Sequence, residues 1–523
     1  MRRLLPPCRE LILNGAPGYR GKGACMDGTD EARVLSGRLP VTVDYEAVDR
    51  DNVLAALADA LPAFGANSGA IDYLWRYYRG LQPVLDRVKD VRPEICNKVV
   101  VNIAQEVVAF KIGYQLEEPL QYACRMPGDG DDGAYERTLV QVNELNTLMF
   151  AEDKASCDRD LFEWMCIGGT GFRMAEADRD ADRIEGDSPF EVHTLDPRCT
   201  CVVESSAYHH RPVMAFWAGR DENDNLVYTV FTDTTCFIVS DGAILSETPH
   251  TYGAIPIVEY KLNNARMGVF EPVLPLLDAI NLLESNRLDD VEQVVQALMV
   301  FKDCDISGDD FEEMRAMGAV KIKSLSETVK ATIDLLKNPL DQTGVQTAKD
   351  DLYQAVVNIC GMPNRNGTSG SSSDTGAAVL LRDGWTLAES HAKSYELQFK
   401  RSERRFLRVI LAICRQSAQT GLDLRIRDIE LTFNRRNYEN ILSKSQVLTT
   451  MLASGKIHPQ LAFQSSGMFS DPDAAYKQSE EWVEANRERA LEEAAAAAPQ
   501  PASGGNPGSQ AGQPEPGRGD DAA

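Results

Sequence analysis

The chain has 523 residues, 43% of them hydrophobic, and a formal charge of -25, so it can bury large cores and is not disordered as a whole. That acidity argues against a general nucleic-acid-coating role, which needs a basic surface, but not against a channel that lets nucleic acid pass without gripping it. No span reaches the roughly 18 apolar residues of a membrane helix, and the 12 cysteines contain no CxxC pair, so reduced thiols are expected.

The opening MRRLLPPCRELIL begins like a signal peptide, but Pro6, Pro7, Arg9 and Glu10 interrupt its apolar part, and residues 1–40 read as a poorly ordered extension. Helices are expected at 43–65 and 70–88, the second carrying the aromatic cluster Tyr73, Trp75, Tyr77 and Tyr78. Another begins near Pro93 and runs through NKVVVNIAQEVVAF to Gly113. Two more follow, at 135–150 and 155–167. From Phe172 to Tyr260 the period changes to alternation, with DENDN and SDG as hairpin turns of an antiparallel sheet. Cys199 and Cys201 fall on one face of an expected strand.

Helical spacing returns at 272–299 and at 339–360, on either side of a compact mixed segment. The polar run GMPNRNGTSGSSSDTGAA (361–378) then separates this second helix from a long one at about 374–419, which would extend roughly 65 Å. Gly384 is the natural place for a bend in it. One short strand, LRIRDIELTF, and further helices fill 422–487, and the Ala/Pro/Gly composition from 488 onward predicts a disordered tail.

No catalytic site emerges. GAPGYRGKG (15–23) fails as a phosphate-binding loop because its spacing is wrong and Gly23 stands where a hydroxyl is needed. The six histidines form no HExxH, and His209 and His210 on a strand would point to opposite faces. Asp289-Asp290, Asp309-Asp310 and Asp350-Asp351 have no evident third metal ligand. No cofactor and no metal are expected.

Five phrases, in order, carry a resemblance: YYRGLQPVLDR (77–87), NKVVVNIAQEVVAFKIGYQLEEPLQY (97–122), LDPRCTCVV (195–203), YGAIPIVEYKLNNARMGVFEPVLPLLDAIN (252–281) and GMPNRNGTSGSSSDTGAAVLL (361–381). Over roughly 45–485 the chain resembles the portal proteins of tailed bacteriophages, the long-tailed type with a separate terminase motor. The resemblance implies an α+β, mainly helical, non-enzymatic subunit of a ring, usually of twelve copies, at one capsid vertex. It implies a wing at 41–271 (helical to 171, β-rich at 172–260), stem helices at 272–299 and 339–360, and a clip at 300–338. A tunnel loop at 361–376, a long bent helix at 377–421 and a crown at 422–487 complete the assignment.

Implied partners are further copies of the chain, the terminase large subunit, capsid and scaffolding proteins, head-completion and tail adaptors, and double-stranded DNA read without sequence preference. No membrane partner is expected. Assembly in the host bacterial cytoplasm and residence in the virion follow.

On that reading Asn364, Arg365, Asn366, Thr368, Ser369, Ser371, Ser372 and Ser373 are the channel-loop candidates, short polar groups able to touch phosphate rather than base edges. Asp278, Glu284, Asp289, Asp290 and Glu292, with Glu271, face the single Arg287 on the first stem helix and are candidates for an acidic channel lining, or else an ordinary solvated face. In KRSERRFLR (400–408), Glu403 is expected to pair with Lys400 or Arg404 at subunit contacts, with DNA contact as the other reading. Two rivals stand beside the portal: a head or tail adaptor without DNA passage, and a DNA-processing enzyme.

Overall fold

The computed structural model describes residues 36–125, 132–178, 188–295, 299–302, 332–335, 342–363, 384–417, 420–433, 441–469 and 472–497. They fall into two compact units, up to Asn440 and from Ile441.

The first unit opens with a short strand, β1 (Thr42–Val43), and a 26-residue helix, α1 (Val53–Tyr78). A break is expected near Gly65 and Gly69, yet the helix runs through them and through Pro62. It stays whole because it serves two cores. Val53, Ala56, Leu57 and Ala60 pack beneath one sheet, while Leu74 and Tyr77 belong to the main core. Midway, Ser68 donates to the Arg198 carbonyl at 2.7 Å.

Next come α2 (Ile103–Gln115), β2 (Gln121–Cys124), α3 (Asp132–Ala151) and α4 (Lys154–Gly168). Eight strands follow as expected: β3 (Thr170–Ala177), β4 (Phe190–Leu195), β5 (Thr200–Ser205), β6 (Pro212–Arg220), β7 (Leu226–Phe231), β8 (Thr235–Ser240), β9 (Ala243–Pro249) and β10 (Ile257–Lys261). They form a six-stranded sheet, β1-β5-β6-β7-β8-β9, parallel only between β1 and β5, and a three-stranded antiparallel sheet, β10-β3-β4. Asp241 and Gly242, both at positive φ (50° and 73°), make the tight β8–β9 turn. In the β6–β7 turn the Asp221 carboxylate accepts from the Asn223 and Asn225 amides, each at 2.8 Å. His209 and His210 lie not on a strand but in the β5–β6 turn, with His210 at φ 46°. Cys201 is in β5 and Cys199 just before it, both buried, and the described cysteines are free thiols.

Helix α5 (Leu274–Val295) leads to a two-stranded ribbon, β11 (Met299–Lys302) with β12 (Thr332–Leu335), then α6 (Gln342–Ile359) and α7 (Trp385–Gln416). The main core gathers side chains from α2, α3, α4, β10, α5, α6 and α7. Strand β13 (Ile429–Thr432) pairs antiparallel with β2, Leu431 opposite Tyr122. The stretch expected to open the crown at 422 is thus tied to the first unit.

The second unit holds α8 (Ile441–Ala453), α9 (Pro459–Ser466) and α10 (Pro472–Ala497). Phe463 anchors it, stacking on Phe469 at 5.2 Å and meeting Tyr476 edge-on at 5.9 Å. Helix α10 runs past residue 488, where a disordered tail is expected. The run RERALEEAAAA consists of strong helix formers, and local propensity extends the helix.

Candidate functional site

The acidic helix α5 is held by its own polar groups. Leu274, Leu277 and Ile280 bury its first turns, and then Asn281, Ser285 and Asp289 continue the buried stripe at four-residue spacing. Each accepts a backbone amide from one extended segment. Val101 N donates to Asn281 Oδ1 at 2.8 Å, Val99 N to Ser285 Oγ at 3.0 Å, and Asn97 N to Asp289 Oδ1 at 2.7 Å. Two residues of extended chain advance about 6.6 Å and four of a helix about 6 Å, so the two repeats stay in register. This is why residues 97–101 are extended although helix is expected there. Three valines in a row favour the extended form, α5 supplies the missing acceptors, and α2 starts only at Ile103.

These contacts revise the acidic lining. Asp289 is nearly buried and takes Arg87 at 2.9 Å and Lys89 at 3.0 Å. Burial pushes its pKa up, but the bonds from Asn97 and Lys89 outweigh it and the net shift is downward. Glu284 pairs with Lys349 of α6 at 2.7 Å. Glu271 is fully buried against Arg38 and takes the Gly268 amide at 2.9 Å; its pKa is pushed up to about 7, mainly by burial. Asp278 accepts from the Tyr77 hydroxyl at 2.8 Å and Glu292 from the Asn97 side chain at 3.0 Å. Asp290 is exposed. Three of the six carboxylates are therefore matched by cations within the chain, and the helix is less negative than its sequence suggests.

The loop candidates Asn364, Arg365, Asn366, Thr368, Ser369, Ser371, Ser372 and Ser373 lie outside the described residues, but both ends of their segment are described. Helix α6 closes with Met362 N donating to the Val357 carbonyl at 2.9 Å, over Gly361 at φ 60°. A Cβ at Gly361 would come within 2.8 Å of His391 Nδ1 of α7, so this position needs glycine. The Gly361 carbonyl accepts from Lys111 Nζ at 3.2 Å. Lys111 is buried on α2 beside Cys360 and Cys166, with its ammonium 5.8 Å from the Tyr395 ring centre. Burial lowers its pKa to about 8.

The chain returns at Gly384, φ 83°, the residue that caps the start of α7 at Trp385; the part of the expected long helix before it, 374–383, lies outside the described residues. At positive φ glycine escapes the steric penalty of a side chain and turns the backbone into the helix. A Cβ there would lie 3.5 Å from the Met362 carbonyl oxygen and 3.7 Å from Pro363 Cα. The segment 364–383 thus leaves and re-enters at a single point.

Helix α7 is locked to α4 and to strands β2, β3 and β10 by a buried charge cluster. Glu403 faces neither Lys400 nor Arg404. Its Oε1 accepts from the Tyr122 hydroxyl at 2.5 Å and lies 3.1 Å from Lys154, while Oε2 accepts from the Tyr260 hydroxyl at 2.5 Å and from Arg173 at 3.3 Å. Asp158 completes the cluster, 2.7 Å from Lys154 and also bonded to Arg173. Burial alone would raise the Glu403 pKa, but Lys154, Arg173 and the two hydroxyls bring it down to about 2. Helical spacing from the aliphatic stripe puts position 403 on the inner face, a signal that outweighs the proximity of Lys400 and Arg404. Lys400 pairs instead with Glu430, at 3.3 Å. The aromatic cluster of α1 is structural: Tyr77 is buried, and Trp75 packs on Trp164 at 4.6 Å between ring centres.

Among the described residues no three His, Cys, Asp or Glu side chains group to hold a metal ion, and no helix is long and apolar enough to cross a membrane.

A comparison with curated proteins finds no match. Among solved structures the chain is similar to one in "Virion of native gene transfer agent (GTA) particle", 12% identical with a TM-score of 0.42, over 77% of this chain and 94% of that one. It is also similar to one in "Neck of native GTA particle computed with C12 symmetry", 11% identical with a TM-score of 0.41, over 70% and 90% of the two chains. The family model described as "Phage portal protein, SPP1 Gp6-like" matches residues 67–495. The chain belongs to that family of phage portal proteins.

Proposed function

We propose that copies of this portal protein form a ring, of twelve subunits on the family's pattern, at one vertex of a phage capsid. Double-stranded DNA passes through its bore, driven inward by a terminase large subunit that docks on the clip, and leaves by the same route. Scaffolding and major capsid proteins surround the ring, and head-completion and tail adaptors replace the terminase after packaging. The family is structural and not catalytic, so the work of translocation comes from the partner.

The observation that best supports this reading is the stalk beneath residues 364–383. Gly361 and Gly384 bring the two described ends of this segment to one point, and the polar, glycine-rich sequence at 364–376 would meet a passing duplex there at little steric cost. Its short hydroxyl and amide groups suit phosphate contact without sequence preference. Asp290, exposed on α5, would add a repulsive charge for each copy in the ring. Assembly in the host cytoplasm and residence at the portal vertex of the virion follow from the same reading.

Imaging the purified particle down its axis tests it. A closed ring with an open bore wide enough for a duplex is expected, and a lone monomer under every assembly condition, or a sealed bore, would overturn it.

A further inference from the structure

We infer that the basic outer face of α7 docks on the acidic face at the α3–α4 junction of a second copy of this chain. The inference rests on the ring reading and names the surfaces that would build it.

Arg401, Arg404 and Arg408 are exposed on α7. At 100° per residue they share one arc, opposite the buried Phe399, Glu403 and Phe406. Glu403 is consumed by the inner cluster, and among the described residues none of the three arginines forms an ion pair. Their charge is felt locally. Arg405, half-buried between them, has its pKa lowered, first by burial and next by Arg401, although Glu204 and Glu259 oppose the shift. One turn earlier on the same face, Leu397 is 71% exposed.

The α3–α4 junction is the counterpart. Phe150, at the end of α3, is 86% exposed. Glu152, Asp153 and Asp160 follow, with Glu163 and Glu191 beside them. Asp160 has a raised pKa, through burial and then the like charges of Glu163 and Asp153; Arg159 opposes this least of all. Glu152 is raised by burial and then by Glu191.

One chain thus carries a cationic face with an exposed leucine and an anionic face with an exposed phenylalanine. Among the described residues no ion pair joins the two faces within the chain, but they are complementary between copies. Such a head-to-tail contact repeats around an axis and closes into a ring if the rotation closes. Aromatic and arginine side chains at the centre of a contact are the usual energetic anchors. In a chain of charge -25, copies repel one another at long range, and an opposed pair of patches sets which faces come together.

The test is a charge swap in the full chain, read by native mass and negative-stain imaging under conditions where the wild type forms rings. Arg401→Glu, Arg404→Glu and Arg408→Glu together should cut the ring fraction at least about tenfold, the effect of an interface weakened by one decade in affinity. Adding Glu152→Lys and Asp160→Lys to that chain should restore it. Thermal melting of each variant separates misfolding from lost contact. Should the triple reversal misfold, the matching Arg→Gln chain must fall apart at lower salt than the wild type if the inference holds. Rings undiminished by the reversal overturn the inference, as does failure of the acidic swap to restore them. Loss of duplex-DNA retention with assembly unchanged also overturns it and assigns the arginines to nucleic acid. A wild type that never forms rings sinks the ring reading itself, an outcome visible before any variant is made.

Discussion

At the scale of single residues, two buried charges set testable pH behaviour. Glu403 sits among two cations and two hydroxyls, and removing it leaves Arg173 buried without its full complement. Breaking such a pair costs about 3–5 kcal/mol, so Glu403→Gln should lower the thermal midpoint strongly and Glu403→Ala more; a variant melting within a degree of wild type would remove the cluster's structural role. Its folded pKa of about 2 lies below the value near 4.3 of an unfolded glutamate. The stability it contributes is therefore complete above the unfolded value and lost as pH falls from about 4.5 towards 2. Lys111 has a depressed pKa as well, but through burial of its charged form rather than through partners. Its folded pKa of about 8 lies below its ordinary 10.5, so the folded state binds fewer protons between them and stability rises with pH across that interval. Lys111→Met should abolish that rise in denaturant unfolding followed from pH 7.5 to 10.5. Parallel curves for the two proteins would mean that Lys111 is solvated as an ordinary lysine. The position was readable in outline: in NIAQEVVAFKIGYQ, 104, 107, 108 and 111 share one face, and a lysine on that face is a buried lysine. Its partner, a backbone carbonyl 250 residues away, was not, because a carbonyl leaves no trace in composition.

At the scale of elements, periodicity carried helices α3 and α4 and the alternating strands, and it failed where tertiary partners overrode it. Residues 97–101 are extended because Asn281, Ser285 and Asp289 accept their amides; a sequence window cannot see an acceptor ladder on another helix. Helix α1 is continuous because its halves pack into two cores, which local glycine and proline signals do not register. Strand β13 joins β2 across 300 residues of chain, so its place in the first unit was equally hidden. The ladder makes its own prediction. Ser285→Ala strands the Val99 amide in a part-buried site, at a cost of about 1–3 kcal/mol. Amide hydrogen exchange should speed up at Val99, with smaller changes at Asn97 and Val101. Unchanged protection at all three would show that α5 does not hold this segment. A gentler version of the acidic lining also follows: since Asp289 and Glu284 are matched by cations within the chain, Asp290→Asn should alter the charge of a bore more than Asp289→Asn, which would instead destabilise the fold.

At the scale of the whole molecule, the succession of helical and β-rich stretches was legible, but the closeness of Pro363 and Gly384, the described residues on either side of 364–383, was not. That closeness decides what an excision does. Twenty residues, 364–383, bridge two points in van der Waals reach of one another. A bridge of ten residues still spans far more than that gap, since each extended residue covers about 3.3 Å, and halving the length of chain that closes a gap changes the closure cost by only about 0.6 kcal/mol. Removing 364–373 should therefore leave α6, α7 and the Lys111–Gly361 contact in place, with a thermal midpoint within a few degrees of wild type. Rings and capsids should form, while the loop loses Asn364, Arg365, Asn366, Thr368 and the serines at 369 and 371–373. If those groups follow a moving duplex, packaged DNA per capsid should drop sharply although assembly is normal. Normal packaging in well-formed capsids would show that the loop does not meet the DNA. Failed assembly with an unchanged melting profile would show that the segment serves contacts between copies instead, because the subunit itself has no reason to unfold.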